Sequence, residues 1–341
     1  MAARSFTLGK VAESLGQRYA RAMVSAFALV RNLESRSSTL LFQDFELWQI
    51  RGGRALGEAR LIFPGASVDD WVYQRDYTDI PASDNPAPSG FGSIPNDVED
   101  ALLLLRLFKA GDLAFAKVAL RDVDGKVYTQ YPYRAISEMV PFSSFPYSLE
   151  AGECAEWNAF AHALVSFPGW RSAWFVVARR FFLYGGGKEF NPHFDDVDRI
   201  VDYMIALEAT LVPEHDFVGR RLRERASRII GNDEGIAALL RDFYGVRSTI
   251  AHGSAISDKQ RRLTSTRREE IESAVRRILT SALSVLPEGD AERCQALAAL
   301  YDVSDEVRVN KIVEDFRAIR TAANRADALR LLSEEEDLKE D

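Results

Sequence analysis

Arg247 and His252 stand five positions apart in the last third of the chain, and Gly253 follows the histidine directly. The surrounding stretch, residues 240–253, reads LRDFYGVRSTIAHG. A guanidinium can hold a phosphate and offset developing negative charge, and an imidazole can move a proton near neutral pH. These residue types therefore favour acid–base chemistry on a phosphate-bearing substrate, such as attack of an RNA 2′-hydroxyl on the adjacent phosphate.

Helical geometry limits how these two side chains can cooperate. At about 100° per residue, positions 247 and 252 lie about 140° apart around a straight helix. Either the last helical turn unwinds before Gly253, or Arg247 and His252 do not act together within one chain. A two-fold axis beside the helix end would bring the pairs of two copies together. We therefore expect the site to depend on the helix end and on a second copy.

Three further residues have side chains that suit a role beside this pair. Tyr244 and Ser248 are candidates for a phosphate contact, and Glu208 is a candidate for orienting the arginine or the histidine. A simpler interpretation is that Arg247 pairs with Glu208 inside a helical bundle and that His252 caps the helix end. The bundle would then serve dimerisation or ligand sensing without catalysis. Both interpretations stay open on the residues alone.

Charge is distributed unevenly along a chain of 341 residues, which exceeds what one hydrophobic core usually covers. Residues 216–277 hold 14 Lys and Arg against 9 Asp and Glu, whereas residues 288–341 hold 8 against 15. A basic middle suits an anionic ligand, although solvated helix faces would give the same counts. The candidates for contact with RNA are arginines on one predicted exposed helix face: Arg220, Arg221, Arg225 and Arg228.

Other kinds of site have no signal in the sequence. Cys154 and Cys294 have no Cys or His at ligand spacing, so we expect neither a disulfide framework nor a bound metal. Residues 185–188, GGGK, lack the pattern of a phosphate-binding loop and predict a flexible linker. We expect no cofactor. Because no apolar run is long enough for a secretory signal or a bilayer span, we also expect a cytoplasmic protein without membrane contact.

The elements before this site predict an α+β domain with a small antiparallel sheet over residues 1–185. Residues 10–33 have helical spacing, residues 40–51 and 58–63 favour strands, and residues 81–95 hold four prolines and predict an irregular loop. The remaining predicted elements are a hairpin of residues 113–121 and 126–133 around an Asp-Gly turn, and helices over residues 96–110, 150–167 and 171–184.

The site itself falls in residues 190–287, which predict an all-α bundle of antiparallel helices with short connections. These helices are expected at residues 195–211, 216–230, 233–251 and 265–286, and Asp216 is a cap candidate of the second. Residues 288–341 predict an acidic extension with helices at 291–300 and 304–320 and a solvated tail.

Three runs in the bundle carry a resemblance to a known family. They are ALEATL at residues 206–211, LRERASRIIG at 222–231 and FYGVRSTIAHG at 243–253. In this order and spacing they resemble the Apea-like branch of the HEPN superfamily, over residues 192–287. The resemblance implies an HEPN-like bundle that forms a homodimer, with Arg247 and His252 of each copy near a shared cleft. It also implies a metal-independent endoribonuclease of toxin–antitoxin or antiphage systems. For such a protein we expect the N-terminal domain, which the resemblance does not cover, to recognise a trigger or restrain the nuclease.

Overall fold

The chain contains both a β-sheet and many helices and folds as two compact units. The computed structural model describes residues 24–77, 94–121, 125–130, 146–187, 196–214 and 216–302. Of these, the residues within 1–102, 113–140 and 148–151 form unit 1, and those within 103–112, 141–147 and 152–341 form unit 2. The predicted α+β class is confirmed at this level. The division differs from the sequence boundary after residue 185, because residues 152–185 go with unit 2.

Unit 1 is built on an antiparallel sheet whose described strands are ordered β3-β4-β5-β1-β6-β7. The strands are β1 (Val24–Arg31), β2 (Leu33–Glu34), β3 (Thr39–Leu41), β4 (Glu46–Gln49), β5 (Trp71–Tyr77), β6 (Ala114–Arg121) and β7 (Val127–Gln130), and a short β8 (Tyr147–Ser148) lies at the boundary of the two units. The predicted hairpin is confirmed by the pairing of β6 with β7. The predicted strand at residues 40–51 corresponds to β3 and β4, which pair with each other.

Two predictions in unit 1 are wrong. The helix expected over residues 10–33 is a strand in its described part, because β1 lies in the middle of the sheet and buries seven consecutive residues instead of alternating. The strand expected at residues 58–63 belongs to a helix, α1 (Gly53–Ile62). Its residues Ala59 and Ile62 pack with Phe27 of the sheet, so helical spacing explains the same apolar positions. Residues 10–23, most of the predicted proline-rich loop and the hairpin turn at 122–124 lie outside the described residues.

Most helices agree with the sequence-based expectations. They are α2 (Ile94–Phe108), α3 (Cys154–Ser166), α4 (Ala173–Gly187), α5 (Asp196–Leu211), α6 (Val218–Ile229), α7 (Glu234–Ala251), α8 (Asp258–Thr266), α9 (Arg268–Val285) and α10 (Asp290–Asp302). We did not predict α8, since its sequence DKQRRLTST lacks an apolar period. The α6 N-cap is Phe217, not Asp216, and it makes no side-chain capping bond. The predicted helix at 304–320 and the tail lie outside the described residues.

The glycines predicted as a flexible linker are instead the last turn of α4. A Cβ on Gly185 would lie 2.6 Å from the ring of Tyr203, and one on Gly186 would lie 1.2 Å from the guanidinium of Arg106. The linker prediction is therefore wrong, because these glycines allow two large side chains to approach the helix backbone closely. No helix in the described ranges is long and apolar enough to cross a membrane.

Candidate functional site

Arg247 lies on α7, a helix of unit 2 that has a capped first turn and a buried apolar face. The Asp233 side chain caps α7 by accepting a hydrogen bond from the amide of Ile236, and the helix buries Phe243 and Val246. Arg247 comes directly after the buried Val246, and its own side chain is partly exposed. Its Nη2 donates to Oε2 of Glu208 on α5 at 2.8 Å, with 27% of the Arg247 side chain and 17% of the Glu208 side chain exposed. The structure thus brings together the arginine and the carboxylate that the sequence singled out.

Glu208 carries an altered acidity because of this position. Burial raises the pKa of its carboxyl group, and the neighbouring Arg247 guanidinium, which favours the ionised form, lowers it by less than burial raises it. The carboxyl group therefore takes up a proton more readily than an ordinary glutamate. The strength of the ion pair between Glu208 and Arg247 therefore depends on pH.

Tyr244 lies one turn before Arg247 on α7 and next to its guanidinium. The Arg247 Cζ is 5.9 Å from the centre of the Tyr244 ring, at the edge of cation–π range. Burial and Glu208 raise the pKa of the Tyr244 hydroxyl, against the lowering effects of Arg247 and Arg223. Tyr244 is therefore a neutral hydroxyl at neutral pH. The ring also lies close to α6, since a Cβ on Gly219 would come within 2.6 Å of it.

Sequence reasoning missed Arg223 as a member of this site. Arg223 lies on α6, close enough to Tyr244 to lower the pKa of its hydroxyl. The arginine-rich run of α6 was a signal for it, but only the packing of α6 against α7 shows which of these arginines faces the site. Arg223 thus contributes positive charge near the Tyr244 hydroxyl.

His252 is the C-cap of α7, and the helix ends there in a regular way. The amide of Gly253 donates to the carbonyl of Ile250 at 2.8 Å, and the amide of Ser254 donates to that of Thr249 at 3.0 Å. Gly253 has φ +68°, which completes a Schellman motif. The predicted helix end at Gly253 is confirmed, whereas unwinding before it does not occur.

The helix end leaves His252 exposed and Ser248 half-buried. The amide of His252 donates to the carbonyl of Ser248 at 3.1 Å, as in an uninterrupted helix. Arg247 and His252 therefore stay on different sides of α7. Within the parts of the chain that the structure describes, no side chain is hydrogen-bonded to the imidazole.

A contact from α8 fixes the loop that follows His252. Gln260 Nε2 donates to Oγ1 of Thr249 in the last turn of α7 at 2.9 Å. Gln260 also forms a capping box with Ser257 at the start of α8. The Ser-x-x-Gln spacing was a sequence signal for this cap, and we missed it. The bond between Gln260 and Thr249 therefore connects the two ends of the loop between α7 and α8, which contains the exposed imidazole of His252.

One of the four arginines predicted to contact RNA, Arg225, is buried. Arg225 is only 1% exposed, so its predicted position on the exposed face of α6 is wrong. Its Nη1 donates to the carbonyl of Leu211 at 2.7 Å, and its two Nη groups donate to the carboxylate of Glu214 at 2.7 and 2.8 Å. The guanidinium serves the connection between α5 and α6, because its fork matches a carboxylate and a helix-end carbonyl together.

The other three arginines predicted to contact RNA are more accessible but already have partners. Arg220 pairs with Glu224 one turn further on and is 63% exposed. Arg221 lies 3.7 Å from the Glu214 carboxylate, and Arg228 donates to a carbonyl of α10. Arg220 is therefore the most accessible of the four for a polyanion.

Comparison with known proteins adds no relative. No protein-family model, curated protein or solved structure matches the chain. Both cysteines are free thiols, and the described residues hold no group of three or more His, Cys, Asp or Glu placed to bind a metal ion. The candidate site is therefore defined by the contacts of Glu208, Arg247 and Tyr244, with Arg223 near the Tyr244 hydroxyl and His252 at the end of the same helix as Arg247.

Proposed function

We propose that the chain is an HEPN-type endoribonuclease that cleaves RNA without a metal ion, in a bacterial defence or stress response. The observation that carries the proposal is the pair of Arg247 and Glu208. The Arg247 guanidinium is paired with the Glu208 carboxylate, and 27% of the Arg247 side chain remains exposed. The helix that carries Arg247 ends at His252, which is exposed. The resemblance of residues 192–287 to the HEPN superfamily supports the same function.

Arg247 has the donors to bind the scissile phosphate while it stays paired. A guanidinium carries five N–H donors in a planar fork, and the bond to Glu208 occupies one of its nitrogens. Glu208 would act as a positioning residue by fixing the fork, and the neutral Tyr244 hydroxyl and Ser248 would donate to phosphate oxygens. Arg223 and Arg220 would attract the RNA backbone by charge.

His252 would carry the proton transfers. The 2′-oxygen of the ribose forms a bond to phosphorus while the bond from phosphorus to the 5′-oxygen breaks. The proton of the 2′-hydroxyl passes to a base, and the departing 5′-oxygen gains one from an acid. The products are a 2′,3′-cyclic phosphate and a 5′-hydroxyl. An exposed imidazole can take either role, and Arg247 offsets the charge that develops on the phosphate.

The complete site requires two copies of the chain. Because α7 runs without interruption to Ala251, its Arg247 and His252 point about 140° apart around the helix axis. A homodimer with α7 near its axis would combine Arg247 of one copy with His252 of the other. The N-terminal domain would recognise a trigger or restrain the nuclease.

The test is cleavage of single-stranded RNA in excess EDTA by wild type, Arg247→Ala and His252→Ala, with Arg241→Ala as control. Arg241 lies on the same helix and is 65% exposed. We expect loss of cleavage by about 10²-fold or more in the two site variants and wild-type rates in the control. A wild-type product without cyclic phosphate ends, cleavage that persists in both variants, or no cleavage by wild type in the presence of its trigger would contradict the proposal.

Mixing the two inactive variants tests the shared site directly. A mixed dimer of Arg247→Ala with His252→Ala chains contains one composite site with both functional residues and one with neither. Co-expression should therefore restore part of the activity. If each chain held a complete site of its own, the mixture would stay inactive.

A second candidate function is a non-catalytic module that uses the same bundle for dimerisation or ligand sensing. It is favoured by the fact that Arg247 is already paired with Glu208 and that His252 caps the helix end through its backbone. For this function we expect a dimeric mass and RNA or ligand binding, with no cleavage at any enzyme concentration. Because both functions predict a dimer, the cleavage assay separates them, and sedimentation of the same sample establishes that the assayed protein is dimeric.

A further inference from the structure

Unit 2 buries several arginines around the hydroxyl group of Tyr203. Arg106 at the end of α2, Arg199 on α5 and Arg276 on α9 are each at most 8% exposed. Arg268 lies about two helical turns before Arg276 on α9, and 13% of its side chain is exposed. We call Arg106, Arg199, Arg268 and Arg276 the buried arginine cluster. None of these residues belongs to the site around Arg247.

Ring contacts link Arg106 to Tyr203, and Arg199 lies one helical turn before Tyr203 on α5. The Arg106 Cζ lies 5.5 Å from the ring centre of Phe182, and that ring lies 5.8 Å from the ring of Tyr203. The Arg106 guanidinium occupies the space beside Gly186 that a side chain would need. Burial raises the pKa of the Tyr203 hydroxyl to about 12, and Glu272 raises it as well while the nearby arginines lower it.

Two carboxylates lie within the cluster. Asp112 is fully buried and pairs with Arg199 at 3.5 Å and with Arg268 at 3.4 Å. Glu272 is 1% exposed and lies on α9 one turn from Arg268 and one turn from Arg276. The remaining buried carboxylate among the described residues is Asp202 on α5. Asp112 thus pairs with two of the four arginines, Arg199 and Arg268.

Several polar groups of the cluster have no hydrogen-bond partner within the described parts of the chain. They are Nε and Nη2 of Arg106, Nε and Nη2 of Arg276, the hydroxyl of Tyr203 and both carboxylate oxygens of Glu272. Buried polar groups in folded proteins nearly always find partners, and a buried charge without one is costly. Among the described residues, the cluster therefore has N–H donors on Arg106 and Arg276 and carboxylate acceptors on Glu272 that no other group occupies.

We propose that the buried arginine cluster binds an inorganic phosphate ion, held by Arg106, Arg276 and the Tyr203 hydroxyl. A guanidinium matches two phosphate oxygens with parallel N–H bonds, and the anion supplies acceptors to the unpartnered donors of Arg106 and Arg276. Glu272 makes the site specific for phosphate, because a protonated phosphate carries a P–OH group that donates to its carboxylate. Sulfate has no such proton near neutral pH, and its oxygens would repel the carboxylate. Since the groups are at least nine-tenths buried, the ion stabilises the fold of unit 2 and is not a substrate.

The experiment measures thermal unfolding of the full chain in phosphate, sulfate and chloride at equal ionic strength and pH, after overnight equilibration. At a phosphate concentration of about 100 times Kd, we expect Tm to rise by about 5 to 10 °C over chloride, and sulfate to give no such rise. Acid denaturation of the purified protein should release about one phosphate per chain in a colorimetric assay. Equal Tm values in all three salts would overturn the proposal.

Three variants locate the effect. Arg276→Gln should abolish the phosphate response, whereas Arg277→Gln, on the same helix with a side chain that is 53% exposed, should retain it. Glu272→Gln replaces an acceptor by an amide that can donate, so sulfate should now stabilise as well as phosphate. If Arg276→Gln does not fold, the anion preference of wild type and of Glu272→Gln decides the question. A phosphate response that disappears in Arg247→Ala but persists in Glu272→Gln with unchanged selectivity would place the ion at the other site and refute the proposal.

Discussion

The Glu208–Arg247 pair can be tested by a double-mutant cycle made of Glu208→Gln, Arg247→Met and the double variant. Glutamine retains the shape of glutamate and an oxygen acceptor but not the charge. Methionine retains much of the length of the arginine stem without its guanidinium. The cycle therefore isolates the charged interaction between the two side chains.

The expected magnitude follows from the exposure of the pair. Ion pairs in full contact with solvent contribute about 0.2–1 kcal/mol, and hydrogen bonds to charged groups contribute about 1.5–3 kcal/mol. With 17% of Glu208 and 27% of Arg247 exposed and a bond of 2.8 Å, we expect a coupling free energy of about 1–2 kcal/mol. Arg247→Met alone should cost about 2–3 kcal/mol, because it leaves a mostly buried carboxylate without its cation.

The assay is urea denaturation of the four proteins at pH 7, followed by fluorescence and by circular dichroism to confirm a single transition. The free energies of unfolding give the coupling directly. A coupling below about 0.2 kcal/mol would show that the pair does not form as described, since it would fall under the range of even fully exposed pairs. It would also remove Glu208 as the residue that positions Arg247.

Three further predictions concern glycines and pH. Gly186→Ala should destabilise the protein by about 2–3 kcal/mol in urea denaturation, because its methyl group meets the Arg106 guanidinium, whereas Gly245→Ala on α7, where nothing lies within 4 Å, should stabilise it by about 0.5–1 kcal/mol. Gly253→Ala should cost about 1 kcal/mol, since a φ of +68° is unfavourable for alanine although the space is open; no loss would mean that the helix ends differently. The pKa of Glu208 is raised by folding, so the native state binds its proton more readily than the unfolded chain. The free energy of unfolding of wild type relative to Glu208→Gln should therefore fall as pH rises from the ordinary glutamate pKa through the raised one, and a pH-independent difference would contradict this.

The helices of unit 2 were predictable because their signals are local. An apolar period with Asp233 before it and Gly253 after it fixes the bounds of α7 without any knowledge of its neighbours. The strand β1 was not predictable in the same way. Whether a run of apolar residues forms a central strand or a buried helix depends on what covers both of its faces, and those partners come from distant parts of the chain.

The candidate site shows the same division between local and non-local information. Tyr244 next to Arg247 follows from their spacing on one helix, and Glu208 was a natural partner by charge. Arg225 was placed on the wrong side, since a long arginine stem can bury along apolar surface and end on a carboxylate while its position in the helical pattern reads as polar. Arg223 was missed because its place depends on how α6 packs on α7.

Exposure separates the arginines that can act on a substrate from those that cannot. The Arg247 guanidinium is paired with Glu208 and is also partly exposed to solvent, so a polymeric substrate can bind to it and dissociate. Arg106 and Arg276 are closed off, so only a small ion retained during folding or local opening can reach them. The two proposals together predict that inorganic phosphate acts on this protein in two ways, through different residues. Its inhibition of RNA cleavage would depend on Arg247 and be fast, whereas its stabilisation of the fold would depend on Arg276 and be slow to develop.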